Sequence, residues 1–289
     1  MKRLIVTADD FGMSLEVNEA VEEAHRQGVL TCASLVVAGA AVEDAVRRAK
    51  AMPQLGVGLH LAIFGAPAAA PTPQRNPLSP DGRNLGATPV RTGVAIAVSP
   101  KVRAAARREV AAQFEAYRRT GLQLGHLDGH WHCHQHPVLL AMAIEQGLEQ
   151  GLKGLRVPYE PWAFSHKLGS SLSGHPAIAG RIADAVGHWP LAWEMRRQAR
   201  RAGVATNDRF FGKADAGKVD RPLIERLAAN LPHGITELGL HPATHTWSGD
   251  HAPPPNWRQG DELAALTAPS VREAIDINGI TLTRWSDLR

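Results

Sequence analysis

Short apolar runs alternate along the chain with longer stretches in which apolar residues recur at helical spacing. Leu4, Ile5 and Val6, followed by Thr7, have the length and β-branched character of a buried strand, which ends on the acidic pair Asp9 and Asp10. Ser14 then stands where a helix N-cap belongs, ahead of Val17, Ala20, Val21 and Ala24, and Gly28 closes that helix. The same alternation predicts a strand over 34–37, a helix over 42–52 stopped by Pro53, and a strand over 56–61. Strand, helix, strand, helix, strand implies parallel pairing through right-handed crossovers.

Residues 64–98 break this rhythm, because Pro67, Pro71, Pro73, Pro77 and Pro80 fall close together among Ala, Gly and Asn, and they read as one long loop. Beyond it the pattern predicts a helix over 100–120, a strand over 124–128, a helix over 137–151 and a strand over 155–158. Residues 160–203 read as helical or irregular. A helix over 219–231, a strand over 235–241, a helix over 261–277 and a last strand over 280–285 follow. Seven or eight β/α units without a linker-like change in composition predict one domain over 1–289, an α/β TIM-like (β/α) barrel. An open doubly wound sheet would want a glycine-rich phosphate loop after the first strand, where this chain carries Asp9-Asp10-Phe11-Gly12.

Composition narrows the function. With 289 residues, 44% hydrophobic and 21% charged, the chain is neither disordered nor a coiled coil. Lys+Arg 32 against Asp+Glu 28 gives only +4 and includes no long basic block, so no nucleic-acid partner is expected. Two cysteines suggest no disulfide framework, and the N-terminal apolar run is too short for a signal peptide, so a cytoplasmic location is expected. No run approaches the length of a membrane span. The unusual count is 14 histidines, the residue of metal ligation and of neutral-pH acid/base work.

Those histidines matter by position. Asp9-Asp10, His60 and His126-Leu127-Asp128-Gly129-His130 each sit at a predicted strand end, and a parallel barrel brings such ends to one face. One carboxylate and two imidazoles suit a divalent metal with positions left open for water and substrate. Each piece alone has an ordinary explanation, a packed histidine or a capping turn. His126, His130, His132, His134 and His136 cannot all ligate one ion, and a histidine-rich loop binding metal adventitiously is the plainer alternative. His241, held extended by Pro242, suits a general acid or a packed histidine.

These motifs resemble the YdjC/ChbG family of carbohydrate deacetylases. Ala8-Asp9-Asp10-Phe11-Gly12 matches its opening signature, Gly58-Leu59-His60 its Gly-x-His strand, His126 to His130 its His-x-Asp-x-His motif, and His241-Pro242 its late His-Pro. Arg156-Val157-Pro158-Tyr159-Glu160-Pro161 resembles the hopanoid biosynthesis-associated (HpnK-like) branch, which implies an N-acetylglucosaminyl hopanoid lipid as substrate. The resemblance implies a barrel of the glycoside hydrolase/deacetylase type that removes an N-acetyl group from an amino sugar. It also implies one divalent ion, Mg2+ or Zn2+, on Asp10, His60 and His130, with Asp9 as general base and His241 as general acid. Gly129, Trp131 and Cys133 depart from the family's common Asp-Ser-His form.

Around this set, Asp128 is placed to fix the tautomer of a ligating imidazole, and Arg156 to hold the Asp9 carboxylate or a sugar hydroxyl. His126, His132 and His134 are candidate site neighbours, and Trp131, Trp162 and Trp247 candidate stacking surfaces for a pyranose. The stretch 189–201 joins Trp189, Trp193 and Met195 to four arginines, as in a short interfacial helix, and predicts peripheral contact with the inner membrane; a solvated basic helix or a homodimer contact explains it equally. A barrel metal-dependent phosphoesterase and a non-catalytic metal or lipid carrier are the competing readings.

Overall fold

The computed structural model describes residues 1–70, 76–161 and 178–288. Strand β1 (Lys2–Phe11) is the axis of a nine-stranded, wholly parallel sheet. One edge pairs along its length with β8 (Gly234–Leu240). The other is shared: Lys2–Leu4 pair with β9 (Ile280–Leu282), and Thr7–Phe11 with β2 (Cys32–Leu35). The sheet then runs through β3 (Gly56–Leu61), β4 (His126–Gly129), β5 (Gly154–Leu155) and β6 (Ala205–Thr206), while β7 (Arg209–Phe211) flanks β8.

No strand ladder joins β6 to β7 among the described residues. Side-chain and backbone bonds draw the barrel together at that seam. The buried Asn207 carboxamide accepts from the Val157 N–H at 2.7 Å and donates to the Val157 carbonyl at 3.0 Å, and the Phe210 N–H reaches the Tyr159 carbonyl at 3.0 Å. This explains why the strand expected over 155–158 stops at Leu155: the polar groups of Val157 are taken by a side chain instead of a neighbouring strand.

Helices α1 (Leu15–Gln27), α2 (Val42–Lys50), α3 (Pro89–Val98), α4 (Pro100–Thr120), α5 (Pro137–Glu149), α6 (Ile178–Ala202), α7 (Arg221–Asn230), α8 (Gln259–Thr267) and α9 (Pro269–Ile277) surround the sheet. Their ends follow local chemistry. Ser14 caps α1 by accepting from the Val17 N–H at 3.3 Å, and Gly121 ends α4 in the left-handed region at φ 72°. Two expectations need correction. The proline-rich loop predicted over 64–98 ends earlier, since Pro89 occupies the first turn of α3, where its missing N–H costs nothing. The single helix expected over 261–277 is two, because Pro269 forces Ala268 extended between α8 and α9.

Alternate residues of each strand face the barrel axis. At its base Ile5, Cys32, Trp285 and Leu288 form a small apolar plug, distinct from the large core between sheet and helices. Above the plug the inward positions turn polar: Thr7, Ser34, His126, Asp128, Arg156 and Glu237 are all fully buried. The barrel axis thus carries a column of charge towards the strand mouths.

Candidate metal centre and acid/base cleft

Asp9 and Asp10 are neighbours in one strand, and regular pleating would aim them at opposite faces. Asp10 instead adopts φ 62°, in the left-handed region tolerated by Asp, and the β1–β2 register shifts between Ala8 and Phe11. Both carboxylates therefore face the mouth of the barrel.

Asp10 Oδ1 lies 2.9 Å from His130 Nδ1 and 3.5 Å from His60 Nε2. One donor atom from each of Asp10, His60 and His130 falls within 4.8 Å of the others, and all three residues are buried. His60 Nε2, the donor atom of this triplet that lies 3.5 Å from Asp10 Oδ1, is buried without a hydrogen-bond partner. Its other nitrogen, Nδ1, is held by Asp128 Oδ1 at 2.8 Å, so the ring's orientation is fixed from behind. Burial pushes the Asp10 carboxyl up, but the His130 imidazole outweighs it and holds the group well below the usual carboxylate range. Acid, imidazole donors and the orphaned nitrogen fit a divalent cation.

Arg156, with no exposed surface, organises the layer beneath. Its guanidinium donates to both oxygens of Asp9, at 2.7 and 2.8 Å, lies 2.8 Å from Asp128 Oδ2, and reaches Glu237 Oε1 at 2.9 Å. Phe210 packs its ring 4.9 Å from the guanidinium carbon. Of the two roles expected for Arg156, holding Asp9 is the one observed; it is too deep to reach a sugar hydroxyl. His60, Asp9 and Asp128 also approach within metal-binding distance of one another, but Arg156 already pairs with Asp9 and Asp128, so the place of a second cation is filled by a guanidinium.

His241 follows β8 and sets Nε2 3.9 Å from Asp9 Oδ2. Burial pushes its pKa down against the pull of Asp9 and Asp10. Its backbone is clasped by the first turn of α8: Glu262 Oε2 accepts the His241 N–H at 2.5 Å, and Gln259 Nε2 donates to its carbonyl at 2.9 Å. Trp257 packs against the imidazole with centroids 4.5 Å apart.

His126 lies one layer below the cluster and touches neither pocket nor triplet. Ser34 Oγ donates to Asp128 Oδ2 at 2.6 Å, so at 3.0 Å it accepts from His126 Nε2–H, which sets the tautomer of a neutral ring. His134 is similarly buried, facing the Arg156 carbonyl at 3.0 Å, and His132 packs edge-on to Phe210. These three are supports of the interior. Gly129 goes with them, because a Cβ there would stand 2.9 Å from both Cys133 Sγ and His134 Nδ1.

Trp131 and His132 both take positive φ, at 47° and 54°, and this turn sends the Trp131 ring outward, 52% exposed, stacked 5.4 Å from His130. Above Asp10 and His130 opens a pocket of about 480 Å³, walled by Trp131, Trp247, Trp257 and Met13, with Asn84 and His251 among its polar groups. His251 Nε2 meets Asn84 Oδ1 at 2.9 Å, tying the stretch after β8 to the proline-rich stretch before α3. Trp162 lies outside the described residues. Sequence reasoning placed Glu237 in the strand that ends on His241 without giving it a role, and missed Ser34, Glu262, Trp257 and Asn84. Glu237 and Ser34 carried a signal, since a polar residue inside a strand at the parity of Asp9 and His60 must face the axis.

Fold and donor set together make this a β/α-barrel protein with a buried acid/imidazole cluster able to hold a metal ion. Residues 3–276 match the family described as YdjC-like protein, and the chain belongs to that family. A protein of Mus musculus named carbohydrate deacetylase is 30% identical over 99% of this chain and 94% of its own length. One of the same name from Brevibacillus brevis is 39% identical, over 56% of this chain and 60% of that protein. In fold, the chain is similar to a solved structure from Enterococcus faecalis V583 described as a cellobiose-phosphate cleavage protein. The TM-score is 0.67 at 20% identity, over 98% of this chain and 97% of that one.

Proposed function

We propose that this chain is a metal-dependent carbohydrate N-deacetylase that hydrolyses the acetamide of an N-acetylated amino sugar. The observation that carries the reading is the adjacency of the Asp10, His60 and His130 donor atoms, within 4.8 Å of one another, to an Arg156-held Asp9 and to His241. Curated relatives named carbohydrate deacetylases support the substrate class, as does the tryptophan-walled pocket, since pyranose C–H faces stack on such rings.

Asp10, His60 and His130 would hold the ion, of which Mg2+ and Zn2+ are the first candidates. Bound there, the ion would supply Lewis acidity to the acetyl carbonyl and to water. Asp9 accepts the proton from the attacking water while Arg156 fixes its two oxygens in place. His241, on the same side of the cleft, donates to the departing amine nitrogen. Arg156 in the place of a second cation argues against a phosphoesterase built on two metals.

Acetate release from chito-oligosaccharides and from N-acetylglucosaminyl lipids, including a hopanoid-linked one as the narrower substrate, tests this. Asp9→Asn and His241→Ala are each expected to lower the rate by about 10² to 10⁴. A chelator should abolish activity and lower the melting temperature, with both restored by a divalent ion. Full activity of the Asp9→Asn protein would refute the assignment of Asp9.

A further inference from the structure

Helix α6 has two unlike faces. Ala192, Met195 and Ala199 are buried against the body of the protein, on the side where the helix meets α5. Ile182, Val186, Trp189 and Trp193 are 38%, 65%, 58% and 58% exposed. Their spacings of four, three and four residues confine them to an arc of about 60° at 100° per residue. Together they make a continuous apolar stripe about 17 Å long at 1.5 Å per residue. Scattered exposed apolar residues need no explanation, whereas four in register on one face do.

The charges at the end of the stripe identify what it fits. Of the four arginines of this segment, two are committed: Arg196 donates to the Asp208 carbonyl at 2.9 Å and lies over the Tyr159 ring, and Arg197 pairs with Glu194 at 2.6 Å. Arg200 and Arg201 are exposed, and Arg200 continues the stripe at the next helical repeat. Among the described side chains of α6, Glu194 is the one carboxylate, and it is held by Arg197 and Gln198. An anionic bilayer surface satisfies both parts, with the tryptophan rings at headgroup level and the arginines on the lipid phosphates.

We propose that the exposed face of α6 docks this protein peripherally on an anionic membrane. Among the described residues no helix is long and apolar enough to cross a membrane, so the attachment is one of surface contact. None of the residues of this face lines the pocket above Asp10 and His130, and the test reads vesicle binding, so it does not depend on the deacetylase reading.

The test is co-sedimentation with phosphatidylcholine vesicles, with and without phosphatidylglycerol, and light scattering in solution. Wild type is expected to partition at least about tenfold more strongly onto the anionic vesicles, and raised salt should weaken that binding. Arg200→Gln/Arg201→Gln should weaken anionic binding about 25-fold, at about fivefold for each arginine. Trp189→Ser/Trp193→Ser should weaken it at least about tenfold, while both variants keep the wild-type circular dichroism and melting temperature because all four residues are exposed. The proposal is overturned if wild type stays in the supernatant or if both variants sediment like it. It is also overturned if wild type is a dimer that the tryptophan variant dissociates, which would assign the stripe to a second copy.

Discussion

Arg156 is a buried cation facing Asp9, Asp128 and Glu237, so its removal is not the loss of one ion pair but the stranding of three acids. Glu237 already shows the strain: burial raises its carboxyl pKa although Arg156 and Thr7 both bond it. Arg156→Met keeps the volume and removes the charge, and breaking a buried network in this way costs about 3–5 kcal/mol. Denaturant unfolding should register that loss. Arg156→Lys should recover only part of it, since an ammonium cannot fork onto both oxygens of Asp9. If Arg156→Met unfolds at the wild-type midpoint with unchanged slope, the network contributes nothing to stability and the guanidinium serves Asp9 alone.

Within the strands, the inward column works because small residues stand opposite large ones. A Cβ at Gly58 on β3 would lie 2.4 Å from His126 Nδ1, and one at Gly154 would lie 2.3 Å from Trp285 Cε3. His126 itself stacks on Trp285 with centroids 5.8 Å apart, so neither ring has room to retreat. Gly58→Ala is therefore expected to destabilise by about 1–3 kcal/mol, and its melting temperature should fall accordingly. An unchanged melting temperature would mean that the His126 ring can move and does not fix Ser34 or Asp128. Much of this architecture was legible in the sequence: runs over 4–7, 56–61 and 235–241 are strands, and Asp10, His60 and His130 do meet at one mouth. Strand parity made the inward set readable in principle, because Asp9, His60, Asp128 and Arg156 all sit at alternate positions within apolar runs. What escaped was local and contextual. The left-handed turn at Asp10 depends on the β1–β2 shift, β6 and β7 are too short to show a period, and the seam at Asn207 replaces a strand ladder with one side chain.

For the molecule as a whole, its buried imidazoles set how stability follows pH. Burial lowers His126 and His134 from 6.5 to about 4 each, so folded protein keeps them neutral where unfolded chain protonates them. Their contribution is complete above pH 6.5 and is lost as pH falls towards 4, about 3 kcal/mol apiece at 1.36 kcal/mol per unit. His60 has the opposite sign. Burial lowers it, but the Asp128 charge and bond outweigh that and raise it to about 9, so its contribution is complete below pH 6.5 and disappears as pH rises through 9. Stability without added metal should therefore peak near pH 6.5 and fall on both sides. Unfolding free energies at pH 4.5, 6.5 and 9 check this, and His126→Asn should flatten the acid limb by about 2 kcal/mol between pH 6.5 and 4.5 while leaving the alkaline limb in place. A divalent ion at His60 should shrink the alkaline decline, because a ligating imidazole is held neutral in the folded protein; what remains is set by Glu262, whose carboxyl burial raises to about 8, so that its contribution is lost as pH rises through 8. If the metal instead leaves the alkaline limb unchanged and moves the acid one, the ion binds elsewhere than at His60.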